Sequence, residues 1–329
     1  MAQTALSRAE RTFVLDGLSV TPVQRLDNRS LHEFRAIEVD TSTTEHADGS
    51  ARVSLGGTEI LCGIKAEMET YEAPRVTVHD GKELYEFAPW LPPRPRVQVS
   101  VESSPALLHE HNATELSMMT STVEDMLSAC FGRNGNAFGP LDARQFIVVP
   151  YAKFWLIHVD VYVMSWSGGN VLDAIFAAVY VAFGNTRIPA TKLLDATRSK
   201  EQESEPTDDD DPAGMKFITR GKKPAPSTGA MDFALESEWG NGRLLDGREE
   251  VPVCISVYPV RDSFLLDPTL EEEASLMSCV AVLGSASGRL YGVRQTGSGD
   301  ISVEIIHKAM DVGLYYAQHL ARTLQQQTV

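Results

Sequence analysis

Residues 153–189, KFWLIHVDVYVMSWSGGNVLDAIFAAVYVAFGNTRIP, decide how this chain folds. Residues 154–164 are rich in β-branched and aromatic side chains, and alternate positions from Trp155 to Val163 are wholly apolar, which predicts a strand. Residues 172–183 are apolar on nearly every side, so we expect a helix that is buried inside a domain and too short to span a membrane.

The turn between that strand and that helix is the candidate functional site. It reads Ser167-Gly168-Gly169-Asn170, and we expect the Asn170 side chain to cap the helix, with Asp173 in the first helical turn. A strand that leads through a glycine-rich turn into a helix N-terminus is a favourable place for an anion. What this turn carries therefore indicates what the protein does.

Composition sets the size and class of the protein. The chain has 329 residues and is 43% hydrophobic, which is enough for one large or two modest domains. The first residues lack the apolar core of a signal peptide. Cys62, Cys130, Cys254 and Cys279 lie in apolar contexts with no zinc-type spacing, so we expect buried free thiols in a reducing compartment.

The charge is strongly acidic, with a formal net value of −16. An acidic chain binds nucleic acid poorly on its own, so any RNA contact must come from a local basic patch or a partner's surface. Residues 201–211 alone supply seven negative charges and no positive one. Asp208, Asp209, Asp210 and Asp211 suggest a metal-binding acidic protein as one hypothesis, against the simpler interpretation of a solvated charge run.

The remaining pattern predicts an α+β protein with two similar halves. Residues 49–68 alternate around Gly56-Gly57 as a hairpin, and a helix follows over 112–131, with a capping box of Asn112 and Glu115. Later in the chain, a strand at 251–258, a hairpin over 278–294 and a final helix capped by Asp300 repeat the order of strands before helix. This indicates a loose internal duplication.

We expect three segments along the chain. Residues 1–196 form the N-terminal half, 197–248 a long, largely disordered acidic insertion or linker, and 249–329 the C-terminal half. Within the first segment, residues 69–95 are expected to be irregular. A short helix over 9–16 is expected to dock through Phe13, Val14 and Leu18.

Several motifs resemble those of the RNase PH-like family, in the same order and with similar spacing. They are RLDNR (25–29, with Asn28 where the family has glycine), GSARV (49–53), GTEIL (57–61), IKAEM (64–68), HVDV (158–161), GGN (168–170) and DA (173–174). NTRIP (185–189) and DPTLEEEA (267–274) are similar to one branch, the RNase PH-like ring subunits of the eukaryotic RNA exosome. The resemblance covers nearly the whole chain except 69–95 and 197–248. It implies an RNase PH-like fold (ribosomal protein S5 domain 2-like) of two similar strand-and-helix halves.

In active members of this family, RNA is cleaved from its 3′ end by inorganic phosphate. The resemblance implies that a Gly-Gly-Thr-Arg or serine-rich turn holds the phosphate. Here the turn reads Gly168-Gly169-Asn170-Val171, so Val171 stands where the family has its phosphate-binding arginine. The turn therefore lacks the bidentate, charge-assisted contact that makes phosphate binding strong.

A second departure concerns the pair of catalytic aspartates, which the family spaces six residues apart. Asp267 matches the second position, but the first is Arg261, with the opposite charge. Capping of a turn or helix ahead of Pro268 is the structural interpretation of Asp267. His158 is interpreted as a packed residue. Both departures predict a protein without catalytic residues, and we expect neither a cofactor nor a metal ion.

The resemblance implies a non-catalytic subunit of the exosome core that scaffolds 3′–5′ RNA processing and degradation. Its partners would be the other RNase PH-like ring subunits, S1/KH cap subunits, a hydrolytic nuclease and RNA, in the nucleus, nucleolus and cytoplasm. Arg94, Arg96 and Arg133 are the candidate RNA-phosphate contacts in the channel, with surface salt bridges as the alternative.

The alternative function is an active phosphate-dependent 3′–5′ exoribonuclease, completed by a neighbour's residues. The resemblance makes this reasonable, because in archaeal relatives the chain of this type is inert yet lends RNA contacts to an active partner. Arg261 and Val171 discriminate between the two hypotheses, since both remove groups that the reaction requires.

Overall fold

Two β-sheets pack around one shared helix. The computed structural model describes residues 6–20, 23–70, 76–79, 82–85, 96–132, 139–150, 152–194, 232–237 and 239–328. The helices are α1 (Arg8–Ser19), α2 (Ala113–Phe131), α3 (Val171–Asn185), α4 (Leu270–Ser275) and α5 (Val303–Thr328). The strands are β1 (Ile37–Thr41), β2 (Gly49–Leu55), β3 (Thr58–Thr70), β4 (Val76–His79), β5 (Lys82–Tyr85), β6 (Val97–Ser103), β7 (Ile147–Val149), β8 (Lys153–Trp166), β9 (Arg187–Ile188), β10 (Thr191–Leu194), β11 (Asp232–Leu235), β12 (Arg243–Leu244), β13 (Val253–Val260), β14 (Ser263–Leu266), β15 (Ser278–Gly284) and β16 (Leu290–Gly297).

The first sheet has the strand order β1-β2-β3-β8-β6, and β7 also pairs with β8. The predicted hairpin around Gly56-Gly57 is β2 and β3, and the predicted central strand is β8. These two long strands, β3 and β8, pair antiparallel from Thr58 opposite Trp166 to Thr70 opposite Lys153. The predicted apolar face of β8 is buried, because successive side chains of a strand point to opposite faces and every second one therefore enters the core.

The second sheet has the strand order β14-β13-β15-β16 and is antiparallel throughout. The predicted hairpin over 278–294 is β15 and β16, and α5 packs on β13 and β15. A Cβ at Gly313 of α5 would lie 2.7 Å from the Val282 side chain, so this glycine lets the helix approach the sheet closely.

The central helix α3 belongs to both halves. One side contacts β2 and β3 of the first sheet, and the other contacts β13 and α5 of the second. Every residue from Asp173 to Phe183 is buried as a result. The nearly uniform apolar character of this segment therefore reflects two packing partners rather than one.

Two predicted helix caps are wrong in detail. Asp300 does not cap the final helix, because α5 begins at Val303 and the Ser302 hydroxyl accepts the Ile305 N–H instead. Asn112 does cap α2, by accepting the Thr114 N–H at 3.1 Å, but the reciprocal bond from Glu115 that a capping box requires is not formed.

The end of the insertion at 197–248, which was predicted to be largely disordered, is folded in its described part. Residues 197–231 and 238 lie outside the described residues. After them, β11 pairs with β10, β12 pairs with β9, and the Leu245 side chain is fully buried. The Asp246 N–H donates to the Gln145 side chain at 2.8 Å. These contacts tie the end of the segment to the first half.

The other local predictions have mixed outcomes. The irregular segment at 69–95 contains the β4–β5 pair, and most of its other residues lie outside the described ones. The helix α1 docks through Val14 and Leu18, but Phe13 is 68% exposed.

All four cysteines are buried and free, as expected. In the described part of the chain, the helices are too short or too polar to cross a bilayer.

Phe176 and Phe13 test the importance of the shared helix with the same chemical change. Phe176→Ala removes a fully buried side chain from α3 and is expected to lower the free energy of unfolding by about 3–5 kcal/mol. Phe13→Ala, at an exposed site, is expected to change it by less than about 0.5 kcal/mol. Urea unfolding of the isolated chain measures both. Equal losses would contradict the central place of α3.

Candidate functional site

The turn before α3 has a backbone conformation that favours glycine and asparagine. A Cβ at Gly168 would lie 2.2 Å from the Gly56 carbonyl oxygen, so the turn presses directly on the β2–β3 hairpin. Gly169 and Asn170 have φ values of 73° and 52°, in the left-handed region. The Thr58 hydroxyl donates to the Gly169 carbonyl at 2.8 Å. The turn is thus held rigidly, with the Asn170 N–H at the start of the helix.

This N–H is already bound to a carboxylate of the same chain. Asn170 N–H donates to Glu273 Oε2 at 3.0 Å, and the Tyr258 hydroxyl donates to the other carboxylate oxygen at 3.3 Å. Burial raises the pKa of Glu273, and the hydrogen bond from Asn170 acts in the opposite direction. The position where the strand–turn–helix unit favours an anion is occupied by Glu273.

The predicted side-chain cap by Asn170 is wrong. Asn170 is the N-cap residue, but its side chain makes no capping bond. Its Nδ2 instead donates to Asp173 Oδ2 and Asp267 Oδ1, each at 3.1 Å. Asp173 also accepts the N–H and hydroxyl of Ser256, and burial raises the pKa of Asp173 to about 7. The left-handed backbone of Asn170 turns the side chain away from the helix and toward these two carboxyl groups.

Asp267 is the centre of the site and has no solvent exposure. Its Oδ1 accepts Arg35 Nη2 at 2.6 Å, and its Oδ2 accepts Arg29 Nη1 and the Arg35 N–H, both at 2.8 Å. Burial alone would raise the pKa of Asp267, but the hydrogen bonds and charge of Arg35 hold it below its usual value. The predicted capping role is wrong, because α4 is capped by Thr269 in a capping box with Glu272.

A second buried ion pair lies beside the first. Arg25 binds Glu272 with two hydrogen bonds, from Nε at 3.0 Å and from Nη2 at 2.7 Å. The same guanidinium donates to the carbonyls of Leu266 and Asp267. The RLDNR motif at 25–29 is therefore not only a charged turn. It fixes the segment from the end of β14 to α4, which contains Asp267 just after the strand and Glu273 within the helix.

We call this group of side chains the arginine–carboxylate cluster. It consists of Arg25, Arg29, Arg35, Asp173, Asp267, Glu272 and Glu273. Three guanidinium groups face four carboxyl groups, and each guanidinium is already hydrogen-bonded within the chain. The cluster therefore offers no surplus positive charge to an added anion. It joins the turn of the first half to the strand and helix of the second.

The other predicted site positions lie apart from this cluster or inside the core. Val171 is buried and packs in the hydrophobic core that α3 shares with both sheets. Arg261 is exposed on the turn between β13 and β14, with a φ of 50°, and donates to the Ser19 carbonyl at 3.2 Å. The structure thus brings Asn170 and Asp267 together, and it turns the Arg261 side chain toward the end of α1.

Only one of the predicted RNA contacts falls on described residues. Arg96 is 6% exposed, and its guanidinium carbon lies 3.7 Å from the centre of the Phe154 ring. Arg94 and Arg133 lie outside the described residues, so phosphate contact by these arginines stays a prediction. His158 is half-buried, 3.6 Å from a Glu67 oxygen, and is not part of the cluster. In the described part of the chain, no group of His, Cys, Asp or Glu side chains is placed to hold a metal ion.

Sequence reasoning missed Arg35 and the anion role of Glu273. Glu273 lies in the DPTLEEEA motif, but a run of three glutamates shortly after Thr269 is typical of the first turn of a helix and does not indicate an anion role. Arg35 and Asp267 are 232 positions apart, so no local pattern signals their contact. Of the two arginines in the RLDNR motif, Arg25 is the more deeply buried, which its position in the sequence does not reveal.

Family models match both halves of the chain. The model described as 3′ exoribonuclease family, domain 1, matches residues 33–189, and domain 2 of the same family matches residues 250–314. Exosome complex component rrp42 of Schizosaccharomyces pombe is 28% identical over 284 residues, which is 84% of this chain and 77% of that protein. Exosome complex component Rrp42 of Methanothermobacter thermautotrophicus is 25% identical over 88% of this chain and 86% of that protein.

Solved structures with the same fold agree with these matches. An archaeal exosome core is similar with a TM-score of 0.60 and 18% identity, covering 96% of each chain. The Archaeoglobus fulgidus exosome with RNA bound to the active site is similar with a TM-score of 0.61 and 19% identity, covering 96% of this chain and 97% of that one. The predicted RNase PH-like α+β fold is confirmed.

Asp267→Asn tests the ionic core of the cluster. In the described part of the chain, the substitution removes the only carboxylate bound to the partly buried Arg35, while Arg29 keeps Asp27 at 2.6 Å. Because Asp267 itself has no solvent exposure, its loss is expected to lower the free energy of unfolding by about 3–5 kcal/mol at pH 7. Because folding lowers the pKa of Asp267, its contribution is present above the unfolded value near 3.8 and is lost as pH falls through the lower folded pKa.

The difference between wild type and Asp267→Asn is therefore expected to shrink at acid pH. Asp262→Asn, at an exposed carboxylate five positions earlier, is the control and should unfold like wild type. Urea denaturation across pH measures all three chains. An Asp267→Asn chain as stable as the control at pH 7 would contradict this account.

Proposed function

The chain belongs to the 3′ exoribonuclease (RNase PH) family, and from this we propose that it acts as a non-catalytic ring subunit of an RNA exosome. Its curated relatives carry the name exosome complex component, and they match it over most of their own length. The motifs that resembled the ring-subunit branch lie in folded parts of the chain. Residues 267–274 carry Asp267 and Glu273 of the cluster.

The single observation that carries the non-catalytic role is the bond from Asn170 N–H to Glu273 Oε2 at 3.0 Å. A phosphorolytic enzyme must hold inorganic phosphate at such a turn while it attacks RNA. Here a buried carboxylate already accepts the hydrogen bond that the phosphate would accept. An incoming phosphate would meet Glu273, and the carboxylates of Asp173 and Asp267 would lie close behind the turn.

The absence of the family's phosphate-binding arginine also argues against phosphorolysis. Val171 is an apolar side chain buried in the core, so the turn's own residues offer no cation to an added phosphate. The Arg35 guanidinium, which donates to the Gly168 carbonyl, is already bound to Asp267. Loss of one group that stabilises charge in a transition state costs about 2.7–4 kcal/mol. Arg261, where the family has the first aspartate of its pair, removes a carboxylate as well. These losses together support a degenerate phosphorolytic site and argue against the active alternative.

In place of catalysis, we propose that the cluster holds the two halves in one orientation. A ring subunit needs a fixed shape more than a mobile site, and buried ion pairs with full hydrogen bonding specify geometry. The chain would scaffold 3′–5′ RNA processing together with other RNase PH-like subunits, S1/KH cap subunits and a hydrolytic nuclease. It would help to form the RNA channel through Arg94 and Arg133, whereas Arg96 is 6% exposed and packs on the Phe154 ring. The chain would work in the nucleus, nucleolus and cytoplasm.

A phosphorolysis assay tests the catalytic part of this proposal. The purified chain, and then a ring that contains it with the other RNase PH-like subunits, is mixed with single-stranded RNA and inorganic phosphate. Release of nucleoside diphosphates is measured. We expect none from the chain alone, and no change in release per assembled ring when Asp267→Ala replaces wild type.

The control for that comparison is Asp262→Ala, which changes an exposed carboxylate on the β13–β14 turn. Incorporation into the ring is measured for every variant, so that a folding defect is not mistaken for lost chemistry. Diphosphate release that disappears with Asp267→Ala but persists with Asp262→Ala, at equal incorporation, would show an active enzyme. A chain that stays a monomer with every RNase PH-like partner would refute the ring assignment.

A further inference from the structure

An open groove lies between the start of the first sheet and the last turns of α5. Its volume is about 320 Å³. It is lined mainly by apolar side chains, among them Phe34, Ile37, Tyr316, Leu320 and Leu324. Phe34 and Tyr316 pack against each other with ring centres 6.1 Å apart. A small second cavity beneath it reaches Val53, Leu55 and Ala177, so the groove leads toward the core.

The groove runs beside an open sheet edge. In the described part of the chain, β1 pairs with β2 alone and ends the first sheet. Ser42 donates its N–H to the Ser50 carbonyl of β2 at 2.9 Å. Since backbone groups alternate along a strand, the N–H groups of Val39 and Thr41 face away from β2. This edge presents the hydrogen-bonding groups that an additional strand requires.

An added strand needs backbone hydrogen-bond partners, which the edge offers, and an apolar surface for its side chains, which the groove offers. A strand beside β1 would bond to the outward groups of Val39 and Thr41. Its inward side chains would fall on the same face as Ile37 and enter the groove against Leu320 and Leu324. Its outward side chains would lie opposite Glu38 and Asp40, which are both exposed.

We propose that this edge and groove receive an extended segment of a neighbouring ring subunit, with apolar and basic side chains in alternation. The inference rests on the proposed ring assembly and adds the surface and the chemistry of its partner. The charge of the groove rim indicates which partner binds there. Arg35 and Arg52 lie here as well, but Arg35 of the groove lining is bound to Asp267, and Arg52 lies 3.8 Å from Asp40. Because the exposed Glu33, Glu38 and Asp40 outnumber Arg52, the rim stays acidic, so a basic segment is attracted, whereas RNA phosphates are repelled. A second copy of this chain, with its net charge of −16, is disfavoured in the same way.

Two pairs of variants test the edge and the groove separately. Thr41→Pro removes an outward N–H from an exposed residue of β1, and Thr41→Ala is its control because it keeps the N–H. Thr323→Trp places a bulky ring in the groove, whereas Gln326→Trp adds the same ring to an exposed part of α5 outside the groove lining. Each variant is co-expressed with the other RNase PH-like ring subunits, and native mass spectrometry measures incorporation into the ring.

We expect Thr41→Pro and Thr323→Trp to reduce incorporation by about tenfold or more, as for the loss of an interface hot spot. Both controls should incorporate like wild type. Equal incorporation of all four variants would overturn the inference, and so would cross-linking of RNA to Tyr316 of the groove in the assembled ring. A wild-type chain that enters no ring would refute the proposed function itself, and is recognised because the controls fail too.

The thermal stability of each isolated variant separates assembly from folding. Thr323→Trp should leave the melting temperature of the free chain unchanged, since the groove is open in the described part of the chain. A large drop would show that the chain's own residues fill the groove, which overturns the inference. Glu38→Lys with Asp40→Lys gives a second measurement on exposed side chains. It should weaken incorporation by about tenfold and reduce its sensitivity to salt. Unchanged incorporation would contradict the basic partner.

Discussion

The carboxylate of Asp267, held out of solvent between the guanidinium groups of Arg29 and Arg35, is the interaction on which the rest of the structure depends. It fixes a left-handed residue immediately before Pro268, and α4 then begins with its cap at Thr269. That orientation brings Glu273 to the Asn170 N–H. A buried charge without its partner is strongly unfavourable, so these residues keep their positions together. The filled anion position is therefore a consequence of the ion pair behind it.

This arrangement also joins the two halves of the fold. The central helix α3 provides the hydrophobic contact between the two sheets, and its first residues provide the polar contact. Apolar packing alone is tolerant of small shifts, whereas bonds to Asp267 and Glu273 accept one geometry. A protein that must present fixed surfaces to several neighbours gains from this combination. In our proposal, the turn residues that would hold a phosphate in an enzyme instead position one half against the other.

Much of this was predictable from the sequence, for physical reasons that differ between elements. Period-two alternation identified β8, and apolar residues on every side identified α3 as buried, because these patterns follow directly from local geometry. The predicted caps at Asn170 and Asp300 were wrong. Tertiary contacts turn the Asn170 side chain away from the helix, and Ser302, not Asp300, accepts a backbone N–H at the start of α5. The folded end of the acidic insertion was missed because its order comes from pairing with distant strands. The meeting of Arg35 with Asp267 has no local signal at all, although the motifs that contain Arg29 and Asp267 were recognised.

The most direct test of the central claim is to follow the backbone amide of Asn170 by NMR while inorganic phosphate is added to the isolated chain. We predict that this amide resonance does not move, because Glu273 already accepts its hydrogen bond and the nearby Arg35 guanidinium is already bound to Asp267. A shift of the Asn170 amide that saturates with phosphate, and that is absent with chloride at equal ionic strength, would contradict the account.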